Sequence, residues 1–413
     1  MIEKLAAGLF LSLAATVAAA SDYVAPTPEL LAKAKALHEK MMTLDTHVDV
    51  GLDYATPEND PGGFTDNQVD LPKMRAGGLD AAFFIVYTPQ GPLTEEGYAE
   101  ARKIAETRLS GIKRMVAAYP DQIGLATTVK EARAIRRSGR LVAFIGMENP
   151  FPLGPSAEDA AYWAGEGVRY MSITHFGHNQ FGDSSNPNLA GGDEPEKWGG
   201  LSDEGRALIS LLNGLGVMVD LSHAGRKTML EAVNVSRAPI IASHSGVVAV
   251  EPSPRNLTDE QLIALRDTGG VAQMVALAAY VKAPTPTMIA AREAVLKKYG
   301  IEGMSQISTL YPESRALAVA ELRALADDLA NDPATVADFV DHIEHAITVA
   351  GVDHVGIASD FDGGGGVYGW KDASQTYAVT AEMLRRGWSE DDIKKIWGGN
   401  LLRVMRAVEK AAN

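Results

Sequence analysis

The sequence predicts a (β/α)8 barrel, on three observations. Eight short apolar segments follow one another along the 413 residues, helical patterns separate them, and histidines or carboxylates recur where most of the segments end. The segments are Leu44–Val50, Leu79–Tyr87, Leu141–Met147, Val168–Thr174, Gly216–Ser222, Ala238–Ser243, Gly270–Ala276 and His354–Ser359. Most are runs of Val, Ile and Ala bounded by Gly or Pro, as expected of strands buried on both faces. A helical pattern over Pro28–Met41 precedes the first strand. Others lie between strands, including Glu96–Ala118, Ser202–Leu215 with Ser202 as N-cap, Thr258–Asp267 and Pro333–Ala350. Two stretches exceed ordinary connections: Phe176–Leu201, rich in Gly, Asn and Asp, and Ala278–Asn331, which carries helical patterns of its own. Both follow strand ends, where barrels place binding insertions.

Residues 1–20 read as a cleaved export signal. Met1-Ile2-Glu3-Lys4 leads into an apolar run from Leu5 to Val17, and Ala18-Ala19-Ala20 supplies small residues for cleavage. Residues 21–413 then form a single barrel domain, with no internal repeat and no further apolar span long enough for a bilayer, so no integral membrane segment is expected after signal removal. The 38 Lys and Arg against 53 Asp and Glu leave a formal charge of −15, which repels nucleic acid and anionic lipid alike. The absence of cysteine excludes disulfides, thiolate metal sites and cysteine nucleophiles, and with an export signal it points to a periplasmic or secreted protein.

The chemistry is concentrated at the strand ends. In Asp45-Thr46-His47-Val48-Asp49 the period of two puts His47 and Asp49 on one face, with Asp45 beside them to orient ligands. Later strands end in Glu148, His175, His223, His244 and Asp360. In a barrel all of these ends meet at one mouth. Imidazole and carboxylate donors without thiolates suit zinc, or manganese, cobalt or iron, better than calcium or magnesium. A carboxylate between two donor groups can hold two ions roughly 3.5 Å apart and activate a bridging hydroxide. The expectation is therefore a TIM barrel of the metal-dependent hydrolase type.

These motifs, in this order, resemble the membrane dipeptidase (renal dipeptidase) family, metallopeptidase family M19 of the amidohydrolase superfamily. The resemblance runs from Asp45–Asp49 through Asp360-Phe361-Asp362-Gly363 to Gly398-Gly399-Asn400. It implies two zinc ions: His47 and Asp49 on one, His223 and His244 on the other, and Glu148 bridging both. It also implies that His175 faces the scissile carbonyl, Arg255 in Pro254-Arg255-Asn256 holds the substrate carboxylate, and Asp360 transfers the proton, so that His175, Arg255 and Asp360 together bind substrate. The activity implied is hydrolysis of free dipeptides, L,L and in some relatives L,D, by a homodimer. Two alternatives remain open on the residues alone: another binuclear amidohydrolase acting on N-acyl amino acids or lactams, and a non-catalytic zinc- or peptide-binding protein.

Other features are set aside. His342 and His345 share a helix face but lack a zinc-peptidase signature, and read as a solvated face. His178, in the long loop, is a candidate substrate contact, and Asp362 a competitor for the role of Asp360. Gly363–Gly366 lacks the Lys-Ser or Lys-Thr of a phosphate loop.

Overall fold

The computed structural model describes residues 23–302 and 310–412, so the expected export signal lies outside the described residues. Nine strands are present among them: β1 (Leu44–Asp49), β2 (Ala81–Tyr87), β3 (Ile123–Leu125), β4 (Leu141–Glu148), β5 (Val168–Ser172), β6 (Met218–Asp220), β7 (Ile241–Ser245), β8 (Val271–Val275) and β9 (Val355–Ala358). Eight follow the order β1-β2-β4-β5-β6-β7-β8-β9, all parallel, while β3 pairs only with β4. The ring closes between β1 and β9: the Asp49 N–H donates to Phe361 O (2.9 Å) and the Asp360 N–H donates to His47 O (3.1 Å). The architecture is the expected (β/α)8 barrel.

Each of the eight expected segments overlaps a barrel strand, with two informative boundary shifts. Gly216 (φ +69°) is the left-handed cap of the helix Asp203–Leu215, so β6 starts later than the apolar run suggests. Pro239 has no N–H for the ladder, and β7 begins two residues beyond it. Ser202 caps its helix as expected, accepting from the Gly205 N–H.

Period-two alternation builds two layers. Phe83, Ile85, Val142, Phe144, Tyr170, Met218, Ile241 and Val271 pack in one cluster with Leu401 and Met405 of the C-terminal helix. Their neighbours Phe84, Val86, Ala143, Ile145 and Met147 belong to a second cluster shared with the surrounding helices. The chain divides into two compact units. Tyr23–Ala283 with Ala334–Asn413 is the barrel; the other contains Pro284–Pro333, where helices occupy Pro286–Lys298 and Pro312–Ala326. No helix among the described residues is long and apolar enough to cross a membrane.

One buried histidine outside the mouth gives the fold a measurable acid sensitivity. His38, at the end of the helix Pro28–His38, contacts Gly78 O (3.0 Å) and Thr380 Oγ1 (2.7 Å) through its two ring nitrogens. Burial pushes its pKa down to about 4. Below pH 6.5 the unfolded chain gains a proton that the folded one refuses. Stability from this site is therefore complete above pH 6.5 and declines as pH falls towards 4, by roughly 2 kcal/mol between pH 6.5 and 5. Denaturant unfolding of the protein and of His38→Gln at pH 7 and pH 5 checks this: the variant should lose less stability on acidification, and equal losses would refute it.

Candidate active site

The strand ends place every expected site residue at or beside one mouth. Asn149 (φ +61°), His223 (φ +66°) and Asp360 (φ +59°) each follow shortly after β4, β6 and β9 in the left-handed region. Non-glycine residues occupy that region at a cost of about 1–3 kcal/mol each, and such positions cluster where side chains must be aimed. Here they turn His223 and Asp360 inward.

Glu148 is the point on which the others converge. His223 Nε2 and His244 Nε2 lie 3.0 and 3.2 Å from its Oε1, and 3.0 Å from each other. His175 Nε2 is 4.0 Å from the same oxygen, and His47 Nε2 is 3.6 Å from Oε2. His47 Nε2 also lies 3.6 Å from Asp49 Oδ2 and 3.9 Å from Asp360 Oδ1. Burial favours a neutral Glu148, but His47 and His175, with the His223 and His244 contacts, hold it well below the usual carboxylate range. Burial likewise opposes a charge on His47, yet Glu148 and Asp49 outweigh it and raise its pKa. His223 and His244 are driven down by burial, reinforced by neighbouring cations, and so remain neutral.

Hydrogen bonds from behind fix which nitrogen faces the mouth. The Tyr170 hydroxyl donates to Thr46 O (3.1 Å), so its oxygen accepts from His47 Nδ1 (2.9 Å) and Nε2 is the ring nitrogen that faces the carboxylates. Gly146 makes room for that phenol, since a Cβ there would lie 2.4 Å from the Tyr170 ring. Ser243 Oγ donates to Asp220 Oδ2 (2.7 Å) and therefore accepts from His244 Nδ1 (2.8 Å), leaving Nε2 free. Asp45 Oδ1 accepts from the N–H groups of His47 (3.1 Å) and Ser359 (2.9 Å), joining β1 to β9 below both ligand-bearing ends, which is the orienting role expected of it.

Asp220→Asn should weaken metal binding about 10- to 100-fold. The amide would donate to Ser243, whose hydroxyl would then donate to His244 Nδ1 and move the ring proton onto Nε2. Competition with a chromophoric chelator measures this; an unchanged affinity would show that Asp220 does not control the His244 tautomer.

The residues present fit a metal centre. His47 Nε2 and Glu148 Oε1 are fully buried yet lack a hydrogen bond of acceptable geometry. Donor atoms from His47, Asp49 and Glu148, from Glu148, His175 and His223, and from His47, His244 and Asp360 fall into three groups, each within 4.8 Å. Two imidazole nitrogens 3.0 Å apart beside a carboxylate oxygen, on rings that burial keeps neutral, form a nitrogen and oxygen donor set that suits a cation.

These groups floor a cleft of about 420 Å3 lined also by Tyr87, Arg108, Phe176, Leu277, Tyr280 and Gly363. A Cβ on Gly363 would sit 2.1 Å from Asp49 Oδ2 and 2.6 Å from Asp360 Oδ1, so only glycine passes there. Burial, reinforced by Asp49 and Glu148 and partly offset by His47, pushes Asp360 up to about 8. The His175 ring packs among Tyr87, Phe176 and His223 in tilted contacts, at centroid distances of 4.8, 4.7 and 4.2 Å. Arg255 is buried behind the mouth in an adjoining cavity of about 130 Å3 that shares His223. Its Nη1 donates to Ser245 Oγ (2.8 Å) and its Nη2 to His244 O (2.7 Å), its Nε has no partner, and its cation lies 5.6 Å from the Tyr280 ring centre.

The residues set aside resolve differently. Asp362 does not compete with Asp360, because its two oxygens accept from the N–H groups of Gln68 (2.7 Å) and Val69 (3.1 Å). His178 is a loop brace and not an evident substrate contact: Nδ1 accepts from Ser184 N–H and Nε2 contacts Glu194 O. His342 corrects the expectation of a solvated face. It is fully buried, bridging Val247 N–H (3.0 Å) and Val281 O (2.9 Å), and so ties together the segments after β7 and β8. Sequence reasoning missed Tyr170, Asp220, Tyr280 and Arg108. Asp220 had a signal, since period two puts it on the face of Ser222 in the strand that ends at His223; the other three carry none locally.

Comparison with known proteins bears on this arrangement. Residues 31–413 match the family described as Membrane dipeptidase (Peptidase family M19). The dipeptidase aclJ of Aspergillus oryzae is 32% identical over 359 residues, covering 84% of this chain and 73% of its own. The dipeptidase ataJ of Aspergillus terreus is 31% identical over 364 residues, covering 84% and 78%. The crystal structure of the probable dipeptidase PvdM from Pseudomonas aeruginosa is similar at a TM-score of 0.82 and 34% identity, over 94% of this chain and 100% of that one. With a family match across the barrel and a cluster of metal-binding side chains at its mouth, the chain belongs to the membrane dipeptidase family, peptidase family M19, and is a metallopeptidase.

Proposed function

We propose that the protein hydrolyses the peptide bond of free dipeptides with two zinc ions, held by His47, Asp49, Glu148, His223 and His244 with Glu148 shared between them. The observation that carries this reading is the convergence of three of these side chains, His47, His223 and His244, on the buried, ionised Glu148, with Asp49 against His47. When bound, zinc supplies Lewis acidity, bringing the pKa of water to about 7 and polarising a carbonyl.

The chain's own groups do the rest. Asp360, buried beside His47, takes the proton of the attacking water and returns it to the leaving amine. His175, on the opposite side of Glu148 from Asp49, donates to the carbonyl oxygen as charge develops there. Arg255, a buried guanidinium with an unpartnered Nε, takes the substrate's terminal carboxylate, and Tyr280 screens its cation from water. That contact, in the cavity of about 130 Å3 that adjoins the main cleft, limits substrates to very short peptides, with an L- or a D-residue at the C-terminal position. The apolar leader at residues 1–20 supports action in the periplasm or outside the cell, and the family resemblance supports a homodimer.

Amino-acid release from L,L and L,D dipeptides, matching tripeptides and N-acyl amino acids tests this, using chelator-stripped protein before and after zinc. Zinc-restored cleavage of dipeptides but not tripeptides is expected. Cleavage of N-acyl substrates alone would replace the substrate class, and no cleavage of any amide would overturn the catalytic reading.

A further inference from the structure

The mouth carries a second guanidinium that the proposed chemistry does not use. Arg108 lies on the helix Glu95–Ala118 and reaches into the main cleft beside Tyr87, Phe176 and Val50. Its Nε donates to Val50 O (2.9 Å) and its Nη1 to Tyr87 O, and its cation lies 5.0 Å from the Tyr87 ring centre. Among the described residues its Nη2 makes no hydrogen bond and Arg108 forms no ion pair. An unpaired guanidinium held in place by two carbonyls is costly unless an anion completes it, and its planar fork matches a carboxylate.

The barrel order says which part of a substrate it meets. Arg108 is tied to the ends of β1 and β2, the first and second strands of the ring. Arg255 is tied to the end of β7, the sixth. In a closed ring of eight these positions face each other across the mouth, with Glu148 at its floor. With the terminal carboxylate at Arg255 and the scissile bond over Glu148, the N-terminal residue extends towards β1 and β2. We infer that Arg108 is a specificity-determining residue that binds an acidic side chain on the N-terminal residue of the dipeptide. The inference rests on the dipeptidase reading.

The test uses the zinc-loaded full chain and reads kcat/KM ratios within each protein, so that partial loss of folded enzyme cancels. The unmodified protein is expected to favour Glu-Ala over Gln-Ala, and Asp-Ala over Asn-Ala, by roughly tenfold, which is about 1.4 kcal/mol. Arg108→Gln should bring both ratios near one, and Arg108→Glu should favour Lys-Ala over Glu-Ala. Ratios near one in the unmodified protein, alongside brisk hydrolysis of Ala-Ala, would overturn the inference and leave the dipeptidase reading intact. So would ratios that Arg108→Gln leaves unchanged, which would make Arg108 only a brace between β1 and β2, or an Arg108-dependent preference for Ala-Glu over Ala-Gln. Failure to cleave any dipeptide would overturn the underlying reading, and the inference with it.

Discussion

Glu148→Gln is expected to abolish metal retention and to lower dipeptide turnover by at least about a thousandfold, which is roughly 4 kcal/mol of transition-state stabilisation. The substitution keeps the shape and removes the one charge on which His47, His223 and His244 converge. A glutamine amide can donate to the lone pairs of His223 and His244, so the barrel should fold while the cluster loses its anionic centre. Metal content after dialysis, measured with kcat/KM and the thermal midpoint, separates the two effects. A folded variant that keeps its metal and loses less than tenfold in activity would show that Glu148 is not the shared ligand.

Asp360→Asn is expected to lower kcat by about 10²- to 10⁴-fold while metal content stays unchanged and KM moves little. The distinction matters because Asp360 stands 3.9 Å from His47 Nε2 and is near enough to act as a ligand. Its pKa of about 8 reflects burial among carboxylates; divalent cations among the same groups would pull it down and free it as a base at neutral pH. A variant that lost metal in parallel with activity would make Asp360 a ligand, and one with unimpaired kcat would remove it from the proton path.

Much of this was legible in the sequence because barrel geometry converts a one-dimensional cue into a three-dimensional one. A histidine or carboxylate at or just past the C-terminal end of a buried barrel strand lies at the mouth, which is why His47, Asp49, Glu148, His175, His223, His244 and Asp360 could be named together. Groups that act through other groups were less visible. Tyr170 sits in mid-strand and reads as core; only the barrel's curvature brings its hydroxyl under His47. Arg108 is one of several arginines on an amphipathic helix, and nothing local marks it as the one that reaches the cleft. Tyr280 lies in the long insertion after β8, where no periodicity fixes direction. His342 shows the converse error, since helix spacing gives a face but not what covers it. The short β3 failed for lack of length, three residues being too few to show a pattern.

In the proposed function, Glu148 and the four side chains around it hold two metal ions that enable dipeptide hydrolysis. The most direct measurement of this is a titration of chelator-stripped protein with zinc, recording bound metal per chain and Ala-Ala hydrolysis in the same samples. Activity is expected to rise with occupancy and to saturate at two ions per chain, with Glu148→Gln binding neither tightly. Saturation at a single ion with full activity, or hydrolysis that persists in the stripped protein, would contradict it.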